Sequence, residues 1–151
     1  MVKKKICVIL PCYRVKHKIY TVYKKLIRTK IDCLIFVDDK CPNKSVSYPK
    51  SKIKKSKKVQ YIFLNKNSGV GNATLKGFRS AYKQGFELLI KFDADNQHRI
   101  IDLIKIVKKL NQQDVTFCKG SRNLNLKACY KRRMPFLRSL GASALTYISR
   151  I

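Results

Sequence analysis

The stretch FELLIKFDADNQH, residues 86–98, decides the fold. From Phe86 to Phe92 apolar side chains fall on both alternating positions, as in a strand buried on both faces, and the run stops at Asp93 and Asp95. Acids are scarce here, with 8 Asp and Glu against 35 Lys and Arg. A pair placed two apart at a strand end therefore asks for a chemical reason.

The same pattern recurs outward. KICVIL (5–10), IDCLIFVDD (31–39), KVQYIFL (58–64) and DVTFCKG (114–120) also read as strands. Between them Val15, Ile19, Val22, Leu26 and Ile27 form one helical stripe, and Ile100, Leu103, Ile104 and Val107 another. A further helix over 71–84 opens at Gly71 and ends before Gly85, which suits a C-terminal cap. Residues 43–57, rich in lysine and interrupted by Pro49, predict a loop with a short irregular helix. Alternating β and α elements predict one α/β domain over 1–151: an open, mostly parallel sheet with helices on both faces.

With 45% apolar residues the chain has material for a core. Its formal charge of +27 implies attraction to anions: nucleic acid, an anionic membrane surface or phosphorylated small molecules. Charge alone does not choose among them, and lysine runs such as 50–58 read as solvated surface. The sequence has no zinc-finger spacing, no aromatic-basic RNA signature and no evident recognition helix, which argues against nucleic acid. Six cysteines form no Cys-x-x-Cys pair; Cys7, Cys33 and Cys118 lie in strand-like runs, so buried, reduced thiols in a cytosolic setting are expected. The apolar stretch in MVKKKICVIL is too short for a signal peptide, and no uncharged apolar run reaches membrane-spanning length.

In open parallel sheets ligands bind at the carboxyl ends of the strands. There stand Pro11-Cys12-Tyr13-Arg14, Asp38-Asp39, the turn NKNSGVGNA (65–73), Asp93 to His98, and Lys119-Gly120-Ser121-Arg122. Asp38, Asp39, Asp93 and Asp95 are four of the 8 acids in the chain. Carboxylates beside Lys66, Arg122 and a glycine turn describe a site for a metal-bound diphosphate, with Mg²⁺ or Mn²⁺ on hard oxygen ligands and Arg122 forking onto phosphate oxygens. Gly69-x-Gly71 is no dinucleotide fingerprint, because it follows the third strand and Thr74 replaces the third glycine. It reads instead as close backbone approach at a helix N-terminus, for packing or for an anion.

Six pieces occur in order: PCY (11–13), FVDDKCPNKS (36–45), NKNSGVGNATLKGFRSA (65–81), KFDADNQH (91–98), KGSR (119–122) and MPFLRSLG (134–141). On them the chain, from about Ile6 to its end, resembles inverting family-2 glycosyltransferases of the GT-A fold. That fold is the Rossmann-like nucleotide-diphospho-sugar transferase sheet. The likeness is greatest to polyprenyl-phosphate sugar transferases of the dolichyl-phosphate mannosyltransferase type.

The resemblance implies a base and ribose pocket from Pro11, Tyr13 and Asp39, buttressed by Asp38. It makes Asp93 and Asp95, around Ala94, the catalytic DXD pair, adds Gln97 as a metal ligand for Mn²⁺ or Mg²⁺, and gives Arg122 and Arg138 to the phosphates. Lys66, Gly69, Gly71 and Ala94 complete the nucleotide-sugar-binding set. The chain departs from the family at Arg14-Val15, where Asn-Glu is common, and at Arg99, where proline is usual.

The activity implied by the resemblance is sugar transfer, with inversion, from a nucleoside-diphosphate sugar to a polyprenyl phosphate or a glycan, in glycan or cell-envelope biosynthesis. A lipid phosphate is already anionic and needs little general-base help, so His98 is read as structural, capping the helix start or supporting the metal loop. The expected setting is cytoplasmic, at the cytoplasmic face of a membrane, with peripheral contact to anionic lipid. The apolar stripe Leu137, Leu140, Ala144, Ile148 and Ile151 running to the terminus gives the expectation that the acceptor side is truncated. The alternatives are a non-catalytic nucleotide-sugar-binding or membrane-surface module and a nucleotidyltransferase-like enzyme.

Overall fold

The computed structural model describes residues 4–53, 56–112 and 115–120. Along the chain run β1 (Ile6–Cys12), α1 (Lys16–Leu26), β2 (Cys33–Asp38), α2 (Ser47–Lys52), β3 (Val59–Phe63), α3 (Gly69–Lys83), β4 (Leu88–Lys91) and α4 (Ile100–Leu110). The four strands form one parallel sheet in the order β3-β2-β1-β4. The chain steps outward from β1 to β3, then crosses back through α3 to lay β4 on the other side of β1. This reversal opens a crevice between the ends of β1 and β4, the switch point at which such sheets bind ligands.

Every residue of β1 and β2 is buried, which explains a sequence that is apolar throughout except for Asp38 at the end of β2. One face, carrying Cys7, Ile9, Cys33, Ile35 and Val37, packs against Ala73 and Ala81 of α3. On the opposite face Phe36 lies between Tyr61 and Tyr23 of α1, with ring centroids 5.4 and 6.4 Å away. Helices therefore cover both faces, as the alternation predicts. The approach of α3 is close. A Cβ at Gly77 would stand 2.5 Å from Ile9 Cγ2 and 3.1 Å from Val37 Cγ2, so only glycine fits without displacement.

Helix α3 begins at Gly69, two residues before the start expected from sequence, and ends at Lys83, followed by the C-cap residue Gln84 and by Gly85, whose φ of +78° is the left-handed turn a glycine cap supplies. The short helix expected within 43–57 is α2. In α4 the expected stripe is only partly inward: Leu103 and Leu110 are buried, while Ile104 is 49% exposed.

The expected fifth strand is corrected. No strand occurs among residues 115–120, and the Val115 N–H donates back to the Gln112 carbonyl at 3.3 Å, closing a turn after α4 instead of entering a ladder. The chain divides into two units, Met1–Thr116 and Phe117–Ile151, and all eight elements lie in the first. Arg122, Arg138, Cys129 and the stripe at 137–151 lie outside the described residues. Among the described residues no helix is long and apolar enough to cross a membrane.

Candidate functional site

A cleft of about 340 Å³ opens at the carboxyl end of the sheet. Pro11, Cys12 and Tyr13 reach it from the end of β1 with Val15 just beyond, and Asp39 from the end of β2. The start of α3 contributes Asn67, Gly69 and Val70, and the turn after β4 contributes Asp93, Ala94 and Asp95. The fold thus brings Pro11, Tyr13, Asp39, Gly69, Asp93, Ala94 and Asp95 together. Asp38, Lys66, Gly71 and Gln97 do not line this cleft.

Asp39 is 3% exposed, and its carboxylate is held by the start of α3. Oδ1 accepts the Ser68 N–H at 2.8 Å and the Ser68 hydroxyl at 3.0 Å, while Oδ2 accepts the Gly69 N–H at 2.8 Å. Ser68 provides no side-chain cap of its own, so the N-terminal N–H groups of α3 and their positive dipole end are met by Asp39. The anion expected at this helix start is the chain's own carboxylate. Gly69 allows the geometry with a φ of +83°. A Cβ at Gly71 would meet nothing within 4 Å, so close approach does not explain that glycine. Asp38 turns away, buried, and accepts the Cys41 N–H at 2.7 Å.

Asp93 sits in a clamp. Lys91 Nζ donates to its Oδ1 at 2.6 Å, and His98 Nε2 lies 2.8 Å from its Oδ2. Burial pushes this carboxyl upward, but the hydrogen bonds and charges of Lys91 and His98 outweigh it and hold the group below its ordinary value of 3.8. His98 also packs on Phe92, with ring centroids 5.4 Å apart. It does not cap α4, whose N-cap position is Arg99 without a side-chain bond. In Asp95, Oδ1 accepts the Gln97 N–H at 3.0 Å, and no second donor reaches its Oδ2 among the described residues. This Asx turn carries Asn96 through a left-handed φ of 63°.

The donor set suits a hard divalent cation. Asp93 and Asp95 offer carboxylate oxygens, and Gln97, though exposed, follows in the same turn. Among the described residues no three His, Cys, Asp or Glu side chains form a complete metal cluster. Two carboxylates are enough for Mg²⁺ or Mn²⁺ bound partly by water and phosphate oxygens.

Sequence reasoning missed the support behind the Tyr13 wall. The buried Ser45 Oγ accepts the Val15 N–H at 3.0 Å and shares a 3.0 Å hydrogen bond with Cys41 Sγ, which accepts the Arg14 N–H at 3.1 Å. Burial raises the Cys41 thiol, but the bonds from Ser45, Arg14 and Asn43 prevail and leave it below its ordinary 9.0. Arg14, at φ 55°, places its guanidinium carbon 5.3 Å from the Tyr13 ring centroid, a cation–π pair. The left-handed residues Arg14, Lys40, Lys44 and Asn96 all lie in these strand-end loops, where strain tends to gather around function.

The model of the family described as glycosyl transferase family 2 matches residues 7–143. A UDP-N-acetylglucosamine–dolichyl-phosphate N-acetylglucosaminyltransferase of Methanococcus voltae is 30% identical, over 99% of this chain and 63% of its own length. An uncharacterized protein of Methanocaldococcus jannaschii is 27% identical over 97% of this chain and 58% of its own. An undecaprenyl-phosphate mannosyltransferase of Micrococcus luteus is 24% identical over 60% of this chain and 37% of its own. The chain therefore spans roughly three-fifths of the first two relatives, at 63% and 58%.

Proposed function

Since the chain belongs to glycosyl transferase family 2, we propose that it transfers a sugar, with inversion, from a nucleoside-diphosphate sugar to a polyprenyl phosphate. The observation that carries this reading is the placement of Asp93 and Asp95 on a cleft at the carboxyl end of a parallel sheet. The acceptor class is supported by two relatives whose names specify dolichyl-phosphate and undecaprenyl-phosphate transfer. A glycan acceptor has no comparable support.

Divalent-metal dependence is typical of the family. Here Asp93, Asp95 and Gln97 would hold Mn²⁺ or Mg²⁺, and the bound ion supplies positive charge against the leaving diphosphate. The chain's own groups do the rest. Lys91 and His98 keep Asp93 ionised and oriented. Pro11, Tyr13 and Val15 give the nucleotide an apolar wall, and Asp39 fixes the facing turn at Ser68 and Gly69. Asp38 holds the loop after β2 through Cys41. Lys66, Arg122 and Arg138 are proposed for the phosphates, and Gly69 and Ala94 complete the sugar-nucleotide surface, with Gly71 just outside the cleft. An ionised lipid phosphate attacks without a general base, which agrees with a His98 occupied by Asp93. Four buried free thiols, Cys7, Cys12, Cys33 and Cys41, fit a reducing cytoplasmic setting, with the lipid acceptor met at the adjoining membrane face.

Calorimetric titration with UDP- and GDP-sugars, with and without Mn²⁺, tests the reading. Binding is expected only with the divalent ion, and Asp95→Ala is expected to abolish that dependence. Transfer of radiolabelled sugar to a prenyl phosphate tests the acceptor. Equal titrations for wild type and Asp95→Ala in both conditions would sink the metal assignment.

A further inference from the structure

Helix α4 buries Leu103 and Leu110 but leaves Ile101 42% and Ile104 49% exposed. At helical spacing these two isoleucines share their face with Lys105 and Lys108, and Lys109 borders it, all three lysines exposed. The helix holds one acid, Asp102, at the side of this face. On α1 the exposed positions Lys16, His17, Lys18, Thr21, Lys24 and Lys25 are polar or basic without an apolar residue. The face of α4 therefore combines what charge alone does not: apolar side chains ringed by cations. Its complement is a surface with anions outside and hydrocarbon just beneath.

We propose that the outward face of α4 seats the protein on an anionic lipid bilayer, with Ile101 and Ile104 entering the headgroup–acyl boundary and Lys105, Lys108 and Lys109 meeting lipid phosphates. The charge of +27 draws the chain to such a surface from any direction; α3 also exposes Leu75 and Tyr82 beside Arg79 and Lys83, and α4 is chosen over it because α4 directly follows the turn that carries Asp93 and Asp95. The inference deepens the lipid-phosphate reading, because a polyprenyl phosphate is presented by a bilayer. Its test needs no sugar transfer, so either reading fails alone.

The chain contains no tryptophan, so Ile104→Trp creates a single fluorescent reporter, with Ile101→Trp as a second should the first melt early. Emission is expected to shift to the blue with vesicles of phosphatidylcholine containing phosphatidylglycerol and not with phosphatidylcholine alone. Adding Lys105→Glu and Lys108→Glu to the reporter should weaken vesicle partitioning by about tenfold or more. A reporter at Leu75→Trp, on the exposed and also basic side of α3, should keep its water-like emission. The proposal is overturned by unchanged emission of both α4 reporters, by a shift at Leu75→Trp in their place, or by insensitivity to the lysine reversals. It is equally overturned by a concentration-dependent shift without lipid, which would show that a second copy covers this face.

Discussion

Asp39 and Gly69 are joined across 30 residues, the Asp39 Oδ2 accepting the Gly69 N–H at 2.8 Å. With the two bonds from Ser68, the contact fastens the end of β2 to the start of α3 and fixes the angle between two walls of the cleft. The family resemblance gives Asp39 to the nucleotide base. In this structure three donors from the chain already occupy its carboxylate.

Asp39→Asn separates the two roles. Asparagine presents one acceptor oxygen, and its amide N–H groups face the donors of Ser68 and Gly69. We expect a loss of about 1.5–3 kcal/mol in urea unfolding, the scale of charge-assisted bonds. Affinity should fall alike for uridine and guanosine diphosphates. A changed ratio between the two nucleotides at unchanged stability would instead make Asp39 a reader of the base.

Gly77→Ala drives a methyl group into Ile9 and Val37, both in the central strands. Overpacking of that kind costs about 1–3 kcal/mol. Because the first turn of α3 lines the cleft, nucleotide affinity should fall with stability. Urea unfolding and calorimetry on one preparation check both.

Asp93 predicts a pH dependence. Its carboxyl is held below the ordinary 3.8, so the clamp stabilises the fold fully above that value and the contribution is lost as pH falls through the lower folded value. Lys91→Met removes one arm. Wild type should melt higher than the variant at about pH 6, and the two should converge as pH falls through the lowered Asp93 value, below which the carboxyl is neutral in both. Melting curves that stay parallel would mean that the clamp adds nothing to stability.

Periodicity made the sheet legible, because β1 and β2 are buried on both faces and had to be apolar up to the buried Asp38 that closes β2. It misled at 114–120, where apolar residues suggest a strand but the backbone of Val115 turns back to α4. Motif position found Asp93 and Asp95, since strand-end acids stand out in a basic chain. It did not find the clamp on Asp93 or the capping role of Asp39, whose partners lie on other elements or use backbone N–H groups that every residue carries. Gly77 escaped notice because a helix glycine signals close packing only once its neighbours are known.

Ser45 is the clearest case of support without a sequence signal. It is fully buried, and its hydroxyl serves both the Val15 N–H and the Cys41 sulfur. Ser45→Ala leaves the Val15 N–H without that acceptor at the start of α1, a loss of about 1–3 kcal/mol. Tyr13 and Val15 line the cleft, so nucleotide binding should weaken severalfold even where the fold persists. The same substitution removes the side-chain bond that lowers the Cys41 thiol, and its titration should therefore move upward. Alkylation of Cys41 followed by peptide mass spectrometry across a pH series reads that shift. An unmoved profile, with stability unchanged, would show that the Cys41–Ser45 bond holds nothing in place.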